Sequence, residues 1–263
     1  MSCAAILVAA GRGERAGGGV PKQYRDLAGK MVLERTLERF LGHPAIDDVV
    51  VVINPDDAAF FAGIDAPVLW VNGGATRTAS VRAGLAALES RRSEQVLIHD
   101  AARPFVSDRV ISDVVDALAD APAALPVLPV TDALLAHADG NMCDSVDRDR
   151  LRAAQTPQGF RLDALLDAYE KLGDASAHDD ASVALAAGLQ VHLTRGEAGN
   201  FKLTTPEDFE RAEALLGKTD MIYVTGQGFD VHRLEPSDHM YLCGVRLDQD
   251  FGLVGHSDAD VGL

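Results

Sequence analysis

GRGERAGGGVPKQY, residues 11–24, follows directly on the apolar run AAILVAA, residues 4–10. A short apolar run entering a glycine-rich turn is how an α/β fold presents backbone N–H groups to phosphate oxygens. The loop also carries Arg12, Arg15 and Lys22, in a 263-residue chain whose formal net charge is −16. Cations gathered at one glycine-rich turn of an acidic protein point to a bound polyphosphate. An ordinary glycine turn is the plainer alternative, and Arg15 and Lys22 weigh against it.

Outward from this loop, apolar runs alternate with helical patterns. Residues 4–9, 48–53, 67–71, 95–99 and 123–128 read as buried strands, and 32–42, 76–90, 107–120 and 161–171 as helices. That alternation predicts a doubly wound, mostly parallel sheet built of right-handed βαβ units. Ligands bind at the carboxyl ends of such strands, where the 11–22 loop and His99-Asp100 both fall. Residues 131–149 break the pattern, reading as two short strands around Ala138-Asp139-Gly140-Asn141. The expectation there is a hairpin arm projecting from the sheet. Thr205-Pro206-Glu207-Asp208 opens a further helix, expected to run to about Leu216 and to close at Gly217. Residues 218–221 read as a junction, and IYVTG begins a fresh strand after it.

Composition narrows the function. Forty Asp and Glu against 24 Lys and Arg argue against nucleic-acid binding, which needs a basic face. Cys3, Cys143 and Cys243 are scattered, without C-x-x-C spacing, as in a reduced, cytoplasmic protein. No stretch reads as a signal peptide or a membrane span.

Gly11-Arg12-Gly13-Glu14-Arg15-Ala16 formally fits the dinucleotide fingerprint G-x-G-x-x-A. The second strand, however, ends near Ile53-Asn54 with no carboxylate for a ribose, which disfavours an NAD(P)-binding oxidoreductase. The Lys-Ser/Thr of a P-loop is missing too. GGATRTAS, residues 73–80, places Gly74 and Ser80 at a helix start, either to hold a base edge or phosphate or as an ordinary capped turn. In HDAARP, residues 99–104, Asp100 ends a strand, well placed for Mg²⁺, which takes one or two carboxylates plus phosphate oxygens. Arg103 beside it either holds substrate phosphate or pairs with Asp100. Lys202, in Asn200-Phe201-Lys202-Leu203-Thr204, is expected on a strand just before the last helix of this region; taken alone it would read as a surface lysine.

Seven segments in order, AAGRGERAGGGVPKQY, GGATRTASV, HDAARPFV, SVDRDRL, QTPQGF, HDDAS and NFKLTTPED, closely resemble methylerythritol phosphate cytidylyltransferases. The resemblance implies a Rossmann-like nucleotidyltransferase domain over residues 1–217. It implies that CTP and methylerythritol phosphate condense to the cytidine diphosphate alcohol and pyrophosphate, with Mg²⁺ near Asp100. By resemblance Arg15, Lys22 and Lys202 surround the α-phosphate, Gly11 and Gly13 admit the triphosphate, and Gly74 and Ser80 read cytosine and ribose. Arg148 and Thr156 match substrate-phosphate positions, and the arm implies a homodimer. His178 stands where the family usually has threonine, so a threonine contact to substrate is lost or replaced by imidazole.

The tail, GQGFDVHRLEP and onward, resembles the opening of methylerythritol cyclodiphosphate synthases, a later enzyme of the same pathway. That implies the start of an incomplete α+β second domain over 222–263, as in a bifunctional fusion. Asp230 and His232 match two ligands of its divalent metal, such as Zn²⁺; otherwise they are a strand-end pair. His256 and Ser257 match a substrate-flanking segment, and the third metal ligand would follow Leu263. A zinc site needs three protein ligands and an open position, so the expectation is that this chain alone does not complete it. A cytidylyltransferase for another polyol phosphate, such as ribitol phosphate, and a non-catalytic nucleotide-binding scaffold are the alternatives. The synthase-like tail weighs against the first, and Arg15, Lys22 and Lys202 together weigh against the second.

Overall fold

The structure is a computed structural model that describes residues 1–12, 19–89, 91–173, 175–219, 233–242 and 244–254. Two compact units divide it, residues 1–219 and 220–263.

In chain order the first unit contains β1 (Cys3–Ala9), β2 (Asp26–Leu27), β3 (Lys30–Met31), α1 (Val32–Leu41) and β4 (Asp48–Ile53). It continues through α2 (Ala58–Phe61), β5 (Leu69–Asn72), α3 (Arg77–Leu88), β6 (Gln95–Asp100), α4 (Asp108–Ala117) and β7 (Ala123–Pro129). Then come β8 (Leu134–Ala138), β9 (Asn141–Val146), β10 (Arg152–Ala154), β11 (Gln158–Arg161), α5 (Leu162–Leu172), α6 (Asp180–Ala186), β12 (Val191–Arg195) and α7 (Pro206–Thr219).

An eight-stranded sheet runs β10-β7-β11-β6-β1-β4-β5, with β12 added on β7. β1 pairs in parallel with β4 and β6, which brings Ala9, Ile53 and Asp100 to the same edge of the sheet. Because both faces of β1 are covered, its residues are apolar throughout. Cys3, Ala5, Leu7 and Ala9 join a cluster with Leu33 and Phe40 of α1 and Ile111 and Val114 of α4. Ala4 and Ile6 join the opposite cluster with Val81, Leu85 and Leu88 of α3, Leu165 of α5 and Val183 of α6. Helices on both sides of a mostly parallel sheet are the doubly wound arrangement the sequence predicts.

The hairpin expected at 131–149 is β8 and β9, turning at Asp139 (φ 50°) and Gly140 (φ 79°), a pair suited to a two-residue turn with positive φ. Leu135 and Met142 are exposed on it. After this arm the chain returns through β10 and β11, both antiparallel to β7, with β11 also antiparallel to β6. The sequence reading does not anticipate these short strands, α6 or β12, because such short runs carry too little periodicity to read.

The strand expected at residues 200–204 does not form; the Leu203 N–H donates instead to the Ala102 carbonyl at 2.8 Å. The end of the last helix also differs from the sequence reading. α7 runs to Thr219 rather than closing at Gly217, which has no left-handed φ. A glycine inside a helix costs about 1 kcal/mol, too little to end one by itself.

In the second unit, β13 (Arg233–Pro236) pairs antiparallel with β16 (Phe251–Val254), and β14 (Met240–Leu242) with β15 (Val245–Leu247). The strand expected at IYVTG lies outside the described residues.

Candidate active site

At the carboxyl ends of β1, β4 and β6 lies a cavity of about 780 Å³. Gly11, Arg12, Lys22, Gln23, Asn54, Gly74, Arg77, Ser80, Asp100 and Lys202 are among its lining residues. The two ends of the glycine loop, the GGATRTAS turn and the Asp100 strand end therefore meet, as the sequence reading expects of a shared ligand.

Each wall has a local cause. Gln23 is buried and its Nε2 donates to the carbonyls of Ala9 (2.6 Å) and Gly11 (3.0 Å), fixing the exit of β1. Gly11 has open space where a Cβ would stand. Arg12 is taken up by the carboxylates of Asp56 and Asp57. On the facing wall, Thr76 caps α3 by accepting from the Ala79 N–H at 3.1 Å. Ser80 Oγ donates to the Thr76 carbonyl (2.9 Å) and accepts from the Gly74 N–H (3.2 Å), tying the loop to the helix. A Cβ on Gly74 would stand 2.5 Å from that of Ala79, so only glycine allows this approach.

Residues 181 positions apart close the third side. Lys22 Nζ donates to the Leu203 carbonyl at 2.8 Å, and Lys202 Nζ pairs with Asp100 Oδ2 at 2.9 Å. Burial alone would raise the Asp100 carboxyl; Lys202, Arg103 and Arg77 outweigh it and hold the group far below the usual carboxylate range. Asp100 is therefore an anion at neutral pH. Asp100 is the one carboxylate among the described residues lining the cavity, and no cluster of three or more His, Cys, Asp or Glu exists among the described residues. The remaining ligands of a divalent ion held there would have to be phosphate oxygens.

Behind Asp100 is a buried hydrogen-bonded strut. His99 Nε2 faces the Arg103 carbonyl at 3.1 Å, which only accepts, so Nε2 carries the proton. Burial lowers the His99 pKa to about 4, so the ring is neutral and Nδ1 accepts from the Thr156 hydroxyl at 3.0 Å. The same hydroxyl accepts from the Asp100 N–H at 3.1 Å, while Asn200 Nδ2 donates to the Thr156 carbonyl at 2.8 Å.

Two residues expected at phosphate have protein partners in this arrangement. The O–H of Thr156 is directed to His99. Arg103 lies outside the cavity wall, with Nε 3.4 Å from Asp100 and Nη1 donating to the Asn200 carbonyl at 2.8 Å. In this structure it pairs with Asp100, the second of its two expected roles. Arg148 donates to the Thr131 carbonyl at the base of the arm, and neither it nor His178 lines the cavity of its own chain. Gly13, Arg15, Asp230, His232, His256 and Ser257 lie outside the described residues.

The sequence reading gives no site role to Gln23, Asn54 or Arg77. Arg77 was open to notice, because a cation in the first turn of a helix opposes the helix dipole. Gln23 and Asn54 carry no such signal.

The 2-C-methyl-D-erythritol 4-phosphate cytidylyltransferase family model matches residues 3–218. The chain belongs to this family. The YgbB family model matches residues 223–263. Among its relatives is "Bifunctional enzyme IspD/IspF" of Maricaulis maris (strain MCS10), 57% identical over 267 residues that cover 100% of this chain and 70% of that protein. A 2-C-methyl-D-erythritol 4-phosphate cytidylyltransferase of Thermus thermophilus has a similar structure, with TM-score 0.66 and 36% identity, covering 81% of this chain and 98% of that one. The bifunctional IspDF of Campylobacter jejuni aligns with TM-score 0.69 and 26% identity over 99% of this chain and 67% of its own. This member is thus a cytidylyltransferase whose C-terminal stretch is related to a second enzyme family.

Proposed function

We propose that the cavity is where CTP meets methylerythritol 4-phosphate, and that Lys22 and Lys202, with Arg15 from the glycine loop, stabilise the transfer. An oxygen of the acceptor phosphate forms a bond to the α-phosphorus of CTP. The α–β bridging bond breaks in line with it, and pyrophosphate leaves with the electron pair. Such a reaction needs positioning and neutralisation of charge at the phosphorus more than covalent chemistry. The convergence of Lys22 and Lys202 beside ionised Asp100, opposite Gly74 and Ser80, is the observation that supports this reading. Gly11, with open space where a Cβ would stand, leaves room for the triphosphate, and the resemblance gives Gly13 the same role. Mg²⁺ held by Asp100 would neutralise triphosphate charge when bound.

The exposed arm supports a homodimer. Leu135 and Met142 face solvent on β8 and β9. Arg148 stands away from the cavity of its own chain, as expected if it reaches the phosphate bound by a partner, with His178 beside the same phosphate. No described helix is long and apolar enough to cross a membrane, in keeping with a cytoplasmic enzyme. For the YgbB-related stretch, the resemblance assigns Asp230 and His232 to a divalent metal such as Zn²⁺, and His256 and Ser257 to substrate.

The test is pyrophosphate release from CTP and Mg²⁺, with methylerythritol 4-phosphate and ribitol phosphate as parallel acceptors. Release with methylerythritol 4-phosphate alone is expected. Release with ribitol phosphate alone would overturn the acceptor, and silence with both would overturn the catalytic reading. Arg148→Ala should raise the apparent constant for the acceptor and leave that for CTP unchanged; a change confined to CTP would refute the arm assignment.

A further inference from the structure

Arg77 is the first residue of α3, where the helix dipole opposes a cation. Something else must hold it there. Its Nη2 lies 2.6 Å from Oδ2 of Asp180, whose side chain is fully buried at the start of α6. Tyr169 of α5 donates its hydroxyl to the other oxygen, Oδ1, at 2.5 Å. Burial, with Asp180 adding to it, drives the Tyr169 hydroxyl far above its ordinary pKa, so it remains a donor. Burial would lower the Arg77 pKa, but Asp180, and at longer range Asp100, raise it overall.

A buried ion pair is a poor way to join two helices, because apolar side chains of similar size do so without a desolvation cost. This pair differs from a plain tie in having one end on the cavity wall, about a quarter exposed, within the field of Asp100. Lys22 and Lys202 line the same cavity. A guanidinium offers five N–H donors in a rigid fork suited to phosphate oxygens, and a carboxylate behind it sets the plane of that fork.

We propose that Arg77 is a further phosphate-facing cation of the reacting centre, and that Asp180 and Tyr169 are positioning residues that aim it. The inference rests on the function proposed above. The ligand group it takes is the α-phosphate under attack, where a fixed cation gains most as charge develops in the transition state.

The experiment compares steady-state pyrophosphate release by the full 263-residue chain, wild type, with Tyr169→Phe, Arg77→Lys, Arg77→Ala and the Arg77→Ala/Tyr169→Phe double variant. Arg77→Ala should lower kcat about a hundredfold, and Tyr169→Phe about tenfold, with KM for CTP changed less than about threefold. Arg77→Lys keeps the charge without the fork and should recover only a small part of the loss. Once Arg77 is gone, adding Tyr169→Phe should change kcat no further, because its effect travels through the guanidinium. Additive losses would overturn the positioning role. A lowered melting temperature with unchanged kcat would make the triad a scaffold, and a rise in KM alone would make Arg77 a ground-state binder. Wild-type activity in the same assay separates these failures from failure of the function itself, which would leave the wild type silent too.

Discussion

Replacing Thr156 with valine removes one hydroxyl while keeping nearly the same shape, and two buried partners lose their hydrogen bond. His99 Nδ1 at 3.0 Å loses its donor, and the Asp100 N–H at 3.1 Å loses its acceptor. Thr156 is 5% exposed and His99 0%, so water does not readily replace the hydroxyl. Stranding a buried polar group costs about 1–3 kcal/mol, which for two groups sums to about 2–6 kcal/mol. That is a large share of the roughly 5–15 kcal/mol stability of an ordinary domain. Urea unfolding, followed by tryptophan fluorescence, measures it for the right unit, since Trp70 is the one tryptophan of the chain and lies in β5. Thr156→Ser is the control: it keeps the hydroxyl and loses a methyl, at about 1 kcal/mol. A valine variant no less stable than the serine variant would refute the strut. Activity is a second reading, because Asp100 is held in line by the same hydroxyl, and kcat should fall in the valine variant while serine preserves it.

Three further outcomes are expected. Burial lowers the His99 pKa from 6.5 to about 4, so on acidification the unfolded chain takes up this proton first. The stability from neutral His99 is therefore complete above about pH 6.5 and declines toward pH 4, by about 3 kcal/mol at most; an NMR ring resonance titrating near 6.5 would contradict this. Lys22→Ala should cut kcat about a hundredfold with a much smaller change in CTP affinity, and an unchanged kcat would remove Lys22 from the transition state. Gly74→Ala sets a Cβ 2.5 Å from that of Ala79, forcing the loop off α3 at about 1–3 kcal/mol; calorimetric CTP affinity should drop with it, and wild-type affinity would show that the nucleotide does not use this turn.

The parallel centre of the sheet was legible because β1, β4 and β6 are buried on both faces and so carry unbroken apolar runs. Loops at the ends of such strands announce themselves by glycine and by charge. β10, β11 and β12 were not legible: runs this short cannot display a period, and their antiparallel or edge placement depends on where the arm returns. Arg103 shows the same limit within the site. Its position beside Asp100 was plain, but whether it faced ligand or carboxylate depended on Asn200, 97 residues away, whose carbonyl takes its Nη1.

By itself, then, the sequence determined the doubly wound class, the arm, the strand ends that hold the site, and the phosphate chemistry, since each is written in local pattern or in the charge of a short segment. Tertiary structure alone decided which polar groups face the cavity and which face each other. Thr156 became a strut beneath Asp100, and Arg77 a cation aimed by the buried Asp180 and Tyr169. A buried donor or acceptor must find a partner, and that partner is chosen by the packing of distant segments, which no local pattern records.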